Sequence, residues 1–236
     1  MKIAVKNERM ISVIIPTHDD ETALAHALAA LVPAAAAGLV REVIVVDAGS
    51  SDGTALVADA AGCRFLRGGG GLGPDLAAAA ASARSDWLLF LSPSVALEPS
   101  WQREAHDFID RVAMAGDPKH AAAFSHARAG FGFRARLAEI TASLRARLLT
   151  AADLDQGLLL MSRFYRELGG HRDLPAMVDV DLARRIGRGR LSFLRARAVL
   201  RGDAKRRQGA AALRNAACLA LLMLRAPTGL IARIAA

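Results

Sequence analysis

Two short runs of apolar, mostly β-branched residues constrain this chain more than anything else in it: Ile11-Ser12-Val13-Ile14-Ile15 and Val43-Ile44-Val45-Val46. Each is closed by turn-forming residues, Pro16-Thr17-His18-Asp19-Asp20 after the first and Asp47-Ala48-Gly49-Ser50 after the second. Continuous apolar runs of this length read as strands buried on both faces, the kind found in parallel sheets. Each is followed by a helix-length stretch. The first spans Glu21 to about Leu31, with Asp19 or Asp20 able to cap it, and stops before Pro33 and an alanine-rich loop. The second spans Thr54 to Ala61, with Ser51 or Asp52 as its cap. Cys63 to Leu66 reads as a third strand, Gly68 to Gly73 as a loop, the alanine-rich stretch to Ala83 as a helix, and Trp87 to Leu91 as a fourth strand. Strands alternating with helices predict an α/β fold with a mostly parallel sheet flanked by helices.

Beyond Ser100 the pattern turns mainly helical. Helices are expected at Trp101–Ala115 and Phe133–Leu149, a strand over Gly157–Met161, a helical turn over Arg163–Leu168, a helix at Val180–Ile186 and a short strand at Leu191–Leu194. With 236 residues and 53% hydrophobic content the chain can bury one sizeable core. Much of that content is alanine, which contributes little area per residue, and aromatics are only 5%, so Leu, Val and Ile must carry the packing. Cys63 and Cys218 lie far apart and form neither a disulfide framework nor a zinc-ligand spacing, which suits a reducing cytoplasm.

The domain boundaries expected are an N-terminal extension at 1–9 (polar, without a signal-peptide core), a main domain at 10–204, and a basic amphipathic helical tail at 205–236. The formal charge of +8 is unevenly placed: basic residues recur from Arg184 to Arg233, with Asp203 the only acid among them. That asymmetry fits either an anionic partner or a solvated arginine-rich face. Ala216 to Leu224 is uncharged but far shorter than the ~20 residues of a spanning helix. Flanked by Arg214, Arg225 and Arg233, it suits a location at the anionic inner face of a membrane, or packing on the domain. Few aromatics and no recognisable motif argue against nucleic acid as the partner.

In open parallel sheets, ligands bind beyond the carboxyl ends of the strands. That rule selects Pro16 to His18, Asp47 to Ser50 and Ser92 to Val95 as the walls of one crevice. Asp47 at a strand end, followed by Gly49 and Ser50, suits a base or ribose: a carboxylate accepts N–H and O–H bonds, and glycine admits close approach. Equally, Asp47 can cap its own turn. Gly68, Gly70 and Gly73 fit G-x-G-x-x-G, but they follow the third strand, and Pro74 and Asp75 open the helix where a pyrophosphate would meet amides. A loop without a dinucleotide is the reading this supports.

Together, Ile11 to Glu21 and Val43 to Thr54 resemble the start of a family 2 glycosyltransferase with a GT-A fold. The resemblance continues through Asp155-Gln156-Gly157, Phe164 to Gly170 and Leu174 to Leu182, and is nearest a bacterial branch found with radical-SAM and selenodomain genes. It implies that Pro16, His18, Asp47, Gly49 and Ser50, with Ser92 and Ser94 across the crevice, hold the nucleotide of a nucleotide-diphosphate sugar donor. It further implies that Asp155, Gln156 and Asp181 line the site of a hydroxyl acceptor, and that Asp179 is the general base. An inverting transfer needs one carboxylate to take the acceptor's proton as the anomeric carbon is attacked. Asp179 and Asp181 also suit a helix N-terminus on electrostatic grounds alone.

The chain departs from that pattern at Val178, where the family's motif has a glutamate before the aspartate, and at the diphosphate and metal site. The family's metal-binding Asp-x-Asp falls on Ser92-Pro93-Ser94, its second aspartate after the second strand is Ala48, and the usual basic and amide residues are absent from Leu72 to Ala80. A divalent cation bridging diphosphate oxygens needs hard anionic ligands, which two serine hydroxyls are not. No metal ligand is therefore assigned. Arg185, Arg188 and Arg206 are the cations that can stand in for it. Two readings follow: a transferase working without an Asp-x-Asp-bound metal, or a GT-A-like module that binds without catalysis.

Overall fold

The computed structural model describes residues 9–128 and 154–200. They form an eight-stranded sheet between helices. In chain order the elements are β1 (Ile11–Thr17), α1 (Glu21–Ala36), β2 (Val40–Asp47), α2 (Thr54–Ala60), β3 (Arg64–Arg67), α3 (Leu72–Ser82), β4 (Trp87–Phe90), β5 (Val95–Leu97), α4 (Trp101–Ala115) and β6 (Ala121–Arg128). A 3-10 turn at Leu154–Gln156 then leads to β7 (Leu158–Met161), α5 (Ser162–Glu167), α6 (Val178–Ile186) and β8 (Leu191–Leu200). The strand order is β3-β2-β1-β4-β7-β6-β8-β5.

The first four strands are parallel, with Thr17 opposite Asp47 and Asp47 opposite Arg67. β7 then runs antiparallel to β4, placing Leu158 opposite Phe90, so the turn that precedes β7 lies at the carboxyl end of β4. The sheet has two buried faces. Ile11, Val13 and Ile15 of β1 point to one, with α1 and α4; Ile14 points to the other, with α3, α5 and α6. That alternation is the period-2 geometry of a strand covered on both sides. Trp101 and Phe124, edge to face at 6.2 Å, fill much of the first layer. A side chain at Gly73 would meet the carbonyl oxygen of Arg172 at 1.9 Å, so only glycine lets the start of α3 sit against the loop before α6.

The helices and the four parallel strands stand close to where the sequence puts them, with three differences. α1 runs through Pro33 to Ala36, because Ala34, Ala35 and Ala36 sustain the helix and the carbonyl of Pro33 still accepts the Ala37 amide at 3.0 Å. β5 and β6 were not expected: β5 is three residues long, and Ala121-Ala122-Ala123 carries no β-branched signal although all three are fully buried. β8 extends to Leu200, its alternating burial masked in sequence by Arg195 and Arg197 on the exposed face. The expected helix at 133–149 and the helical tail at 205–236 lie outside the described residues. Among the described residues, no helix is long and apolar enough to cross a membrane.

A polar cluster ties the amino ends of β1, β2 and β3 together. The Glu42 carboxylate accepts from Ser12 Oγ at 2.8 Å, Arg64 Nη1 at 2.9 Å and the Arg84 amide at 2.6 Å, with its side chain only 8% exposed. Burial alone would raise its pKa, but the Arg64, Arg84 and Ser12 bonds outweigh that and hold it below the usual glutamate range. A depressed folded-state pKa means the stabilisation is complete above the unfolded glutamate pKa and is lost as pH falls through the folded value. Glu42→Gln is therefore expected to cost roughly 2 kcal/mol at pH 7. Urea denaturation at pH 7 and pH 3 checks this, the gap between variant and wild type narrowing in acid.

Candidate active site

The loops after β1 and β2 are laced together by bonds that run in both directions. Thr17 Oγ1 donates to Asp47 Oδ1 at 3.2 Å, and the Ala48 amide donates to the Thr17 carbonyl at 2.9 Å. The Asp19 amide donates to Ser50 Oγ at 2.9 Å, while Asp19 Oδ1 accepts from the Ser51 amide at 2.8 Å. Further on, the Asp20 amide reaches Thr54 Oγ1 at 3.1 Å and the Glu21 amide reaches Asp52 Oδ2 at 3.0 Å. The Gly53 amide returns a bond to Glu21 Oε2 at 3.1 Å. Asp19 adopts φ +53°, a left-handed conformation that aspartate tolerates better than most residues.

Asp47 is the centre of this lacing. It is 5% exposed, and its Oδ2 accepts from the Gly49 and Ser50 amides at 3.1 and 2.9 Å while its Oδ1 accepts from the hydroxyls of Thr17 and Ser50. Gly49, at φ +93°, lets the turn close onto the carboxylate. A carboxylate has about four acceptor sites, so here they are filled by its own loops. Burial would raise the Asp47 pKa, yet the bonds from Ser50, Gly49 and Thr17 lower it further than burial raises it. Asp19 is also held low, chiefly by the Ser51 amide.

The structure brings together the donor-side residues singled out by sequence. Pro16 pairs with Val46 in the sheet, and His18 is exposed on the next residue but one, its amide bonded to Asp20 Oδ2 at 3.0 Å. The Leu91 amide donates to the Ile14 carbonyl at 3.0 Å, so Ser92 and Ser94 continue from β4 directly beside these loops. Both serines are half-buried, and Ser92 Oγ accepts the Ser94 amide at 3.3 Å. The 3-10 turn places Asp155 and Gln156 at the same end of the sheet. Asp155 is half-buried; Gln156 is 3% exposed and its Nε2 donates to the Phe124 carbonyl at 3.4 Å, bracing the turn.

The glycine loop closes another side. Its Gly68 amide donates to the Asp47 carbonyl at 2.8 Å, and the Gly69 and Gly70 amides both bond the Asp75 carboxylate at 3.1 Å. These amides are thus taken up by the first turn of α3, in keeping with a loop that holds no dinucleotide. Past Gly73 comes the loop to α6, whose first turn carries Asp179 and Asp181 after Met177 at φ +59°. Asp179 is half-buried. Asp181 is paired with Arg185, at 2.8 Å to Nε and 2.7 Å to Nη2, so neither is an open charge in the crevice. Arg188 lies exposed after the end of α6, and Arg206 lies outside the described residues.

The donor set does not fit a resident divalent cation. The strand-end loop where one would bind offers two neutral hydroxyls and a proline. Among the described residues no group of three or more His, Cys, Asp and Glu side chains is placed to hold a metal ion. A surface cleft of about 400 Å³, lined by Arg103, Glu104, Asp107, Arg111 and Phe193 to Arg195, is built by α4 and β8 rather than by the strand-end loops.

In the sequence Asp19 and Asp52 read as helix caps, and Glu21 and Thr54 as the first residues of the helices. The signal was present as a density of carboxylates and hydroxyls in both loops. What could not be read was that each set bonds the other loop's amides.

This arrangement defines an α/β protein with a GT-A fold, the architecture of nucleotide-sugar glycosyltransferases. Residues 12–115 match the model of the family described as glycosyl transferase family 2. No curated protein matches the chain. Among solved structures, it is similar to glucosyl-3-phosphoglycerate synthase from Mycobacterium tuberculosis bound to phosphoglyceric acid: TM-score 0.64, 20% identity, 95% of this chain and 83% of that one covered. A mycobacterial protein gives TM-score 0.62 at 24% identity over 95% of this chain and 77% of that one. Residues 1–349 of TarS from S. aureus give 0.61 at 16% over 81% and 60%. The family match supports a glycosyltransferase enzyme, and the solved structures share the fold.

If Ser50 couples the two loops, Ser50→Ala removes both its bond to Asp47 and its acceptance of the Asp19 amide. The expected cost is about 1–2 kcal/mol, with faster amide exchange at Asp19 and Ser51 and unchanged exchange in β7. Denaturation and hydrogen-exchange mass spectrometry check it.

Proposed function

We propose that this protein transfers a sugar from a nucleotide-diphosphate donor to a hydroxyl acceptor, without a cation held by an Asp-x-Asp motif. The observation that carries this reading is the pair of laced loops at the carboxyl ends of β1 and β2, within the residues that match the family model. Pro16, His18, Gly49 and Ser50 form the donor side around Asp47, and Ser92 and Ser94 face them from the end of β4. Asp155 lies on the acceptor side; Gln156 and Asp181 contribute there by bracing the turn before β7 and the first turn of α6. Related M. tuberculosis structures hold uridine-diphosphate-glucose and phosphoglyceric acid with Mn2+, which supports a nucleotide-sugar donor here.

Asp179 is the base in this proposal. It takes the proton of the acceptor hydroxyl as that oxygen bonds to the anomeric carbon, and the bond from that carbon to the diphosphate breaks to release the nucleotide diphosphate. The leaving charge needs a positive partner. Arg185 is held close by Asp181; Arg172, exposed on the loop whose backbone packs against Gly73 and more loosely paired with Asp181 at 3.8 Å, is the arginine this proposal gives that task.

A second reading is favoured by one observation: Asp47 has its acceptor sites filled by its own loops, as a ligand-binding module without chemistry would allow. Asp179→Asn separates the two. The enzyme reading expects sugar transfer, or slow hydrolysis of the donor, to persist in EDTA and to fall at least 100-fold in the variant with donor affinity kept. A chain whose cellular role is untouched by Asp179→Asn is a binding module.

A further inference from the structure

Arg185 makes the most committed charged contacts in the acceptor half, and the transfer chemistry gives it no direct role. Its Nε and Nη2 reach Asp181 Oδ2 at 2.8 and 2.7 Å, while its Nη1 donates to the Leu168 carbonyl at 2.6 Å. Both side chains of the pair are largely buried, at 15% and 16% exposure. The planar guanidinium thus spans two elements: the first turn of α6 and the carbonyl that ends α5.

That carbonyl sits on a fixed base. Gly169 and Gly170 bond back to the carbonyls of Arg166 and Tyr165 at 2.9 and 3.0 Å. The Tyr165 hydroxyl accepts the His171 amide at 2.9 Å and shares a second bond with His171 Nδ1, also at 2.9 Å. His171 is 4% exposed, stands edge-on to Phe90 at 4.7 Å, and is held neutral, its pKa lowered to about 3 by burial and then by the Arg185 charge. Phe90 is the last residue of β4, so this base continues into the strand that carries Ser92. On the α6 side, Val178 and Leu182 are buried in the same core layer, and Val180 is buried as well.

Resting on the proposed transfer reaction, we infer that Arg185 is a positioning residue for Asp179. By pinning Asp181 to Leu168 it fixes the one helical turn on which Asp179 stands, between two buried valines and following Met177 in its left-handed conformation. Removing it also leaves Asp181 as a largely buried carboxylate beside only the distant guanidinium of Arg172, 3.8 Å away. Lysine is a poor replacement, because its three donors sit on one nitrogen whereas Arg185 reaches the carboxylate and the carbonyl with separate nitrogens of a planar fork.

The test uses the full chain with Arg185→Lys and Arg185→Gln. Both are expected to lower kcat about tenfold or more, as a displaced base does, with KM for the donor within about twofold of wild type. Hydrogen exchange is expected to quicken over residues 177–183 and to stay unchanged over 17–21 and 47–54. The inference is overturned if kcat stays within twofold, if donor affinity falls in step with kcat, or if exchange over 177–183 does not change. Should the arginine variants fail to fold, Asp181→Asn carries the same test with the same outcomes. A wild-type chain without donor binding or turnover defeats the proposed function instead, and the exchange result alone then decides this inference.

Discussion

The bonding of the Asp47 carboxylate is the interaction on which the crevice depends. Two loops leaving adjacent parallel strands carry amides with no sheet partner, and near the core such groups must be satisfied. This chain does so with side chains of both loops: Asp47 accepts the amides of its own turn, Asp19, Asp52 and Glu21 accept amides of the opposite loop, and Ser50 and Thr54 relay. The result is a shaped rim at the sheet's carboxyl edge, held by hydrogen bonds between the two loops. Asp47, Asp19 and Asp52 are held below the usual aspartate range because each accepts backbone or hydroxyl hydrogens, which favour the charged form.

The same rim sets the chemical problem of the site. A donor diphosphate brings negative charge to a crevice whose strand-end loop supplies serines, and whose glycine-loop amides are already bonded to Asp75. Under the proposed reaction that charge falls to arginine, and three of the described arginines stand in different places. Arg64 closes the far end of the sheet with Glu42, Arg185 braces α6, and Arg172 stands next to the glycine loop. The Arg172 guanidinium is exposed and stands 3.8 Å from Asp181.

Much of this was legible in the sequence. Val13-Ile14-Ile15 and Val43 to Val46 had to be buried strands, and the strand-end rule alone selected the three loops that surround the crevice. Asp47 was legible as important but not in its manner, since a lone carboxylate at a strand end looks the same whether it meets a base or its own turn. Ala121-Ala122-Ala123 gave no strand signal because alanine favours helix, and the pairing of β6 with β7 and β8 overrides that preference. Arg185 and Asp181 stand four residues apart and read as a helix-surface pair; the third partner, the Leu168 carbonyl, comes from tertiary packing that no local pattern encodes.

Calorimetric titration of the wild-type chain with UDP- and GDP-sugars, in EDTA and again with Mn2+, tests the central claim most directly. The account expects saturable one-to-one binding of at least one nucleotide sugar that is as tight in EDTA as with the metal. No heat with any of these donors would contradict a nucleotide-sugar site, and binding only with Mn2+ would contradict a crevice that works through its own residues.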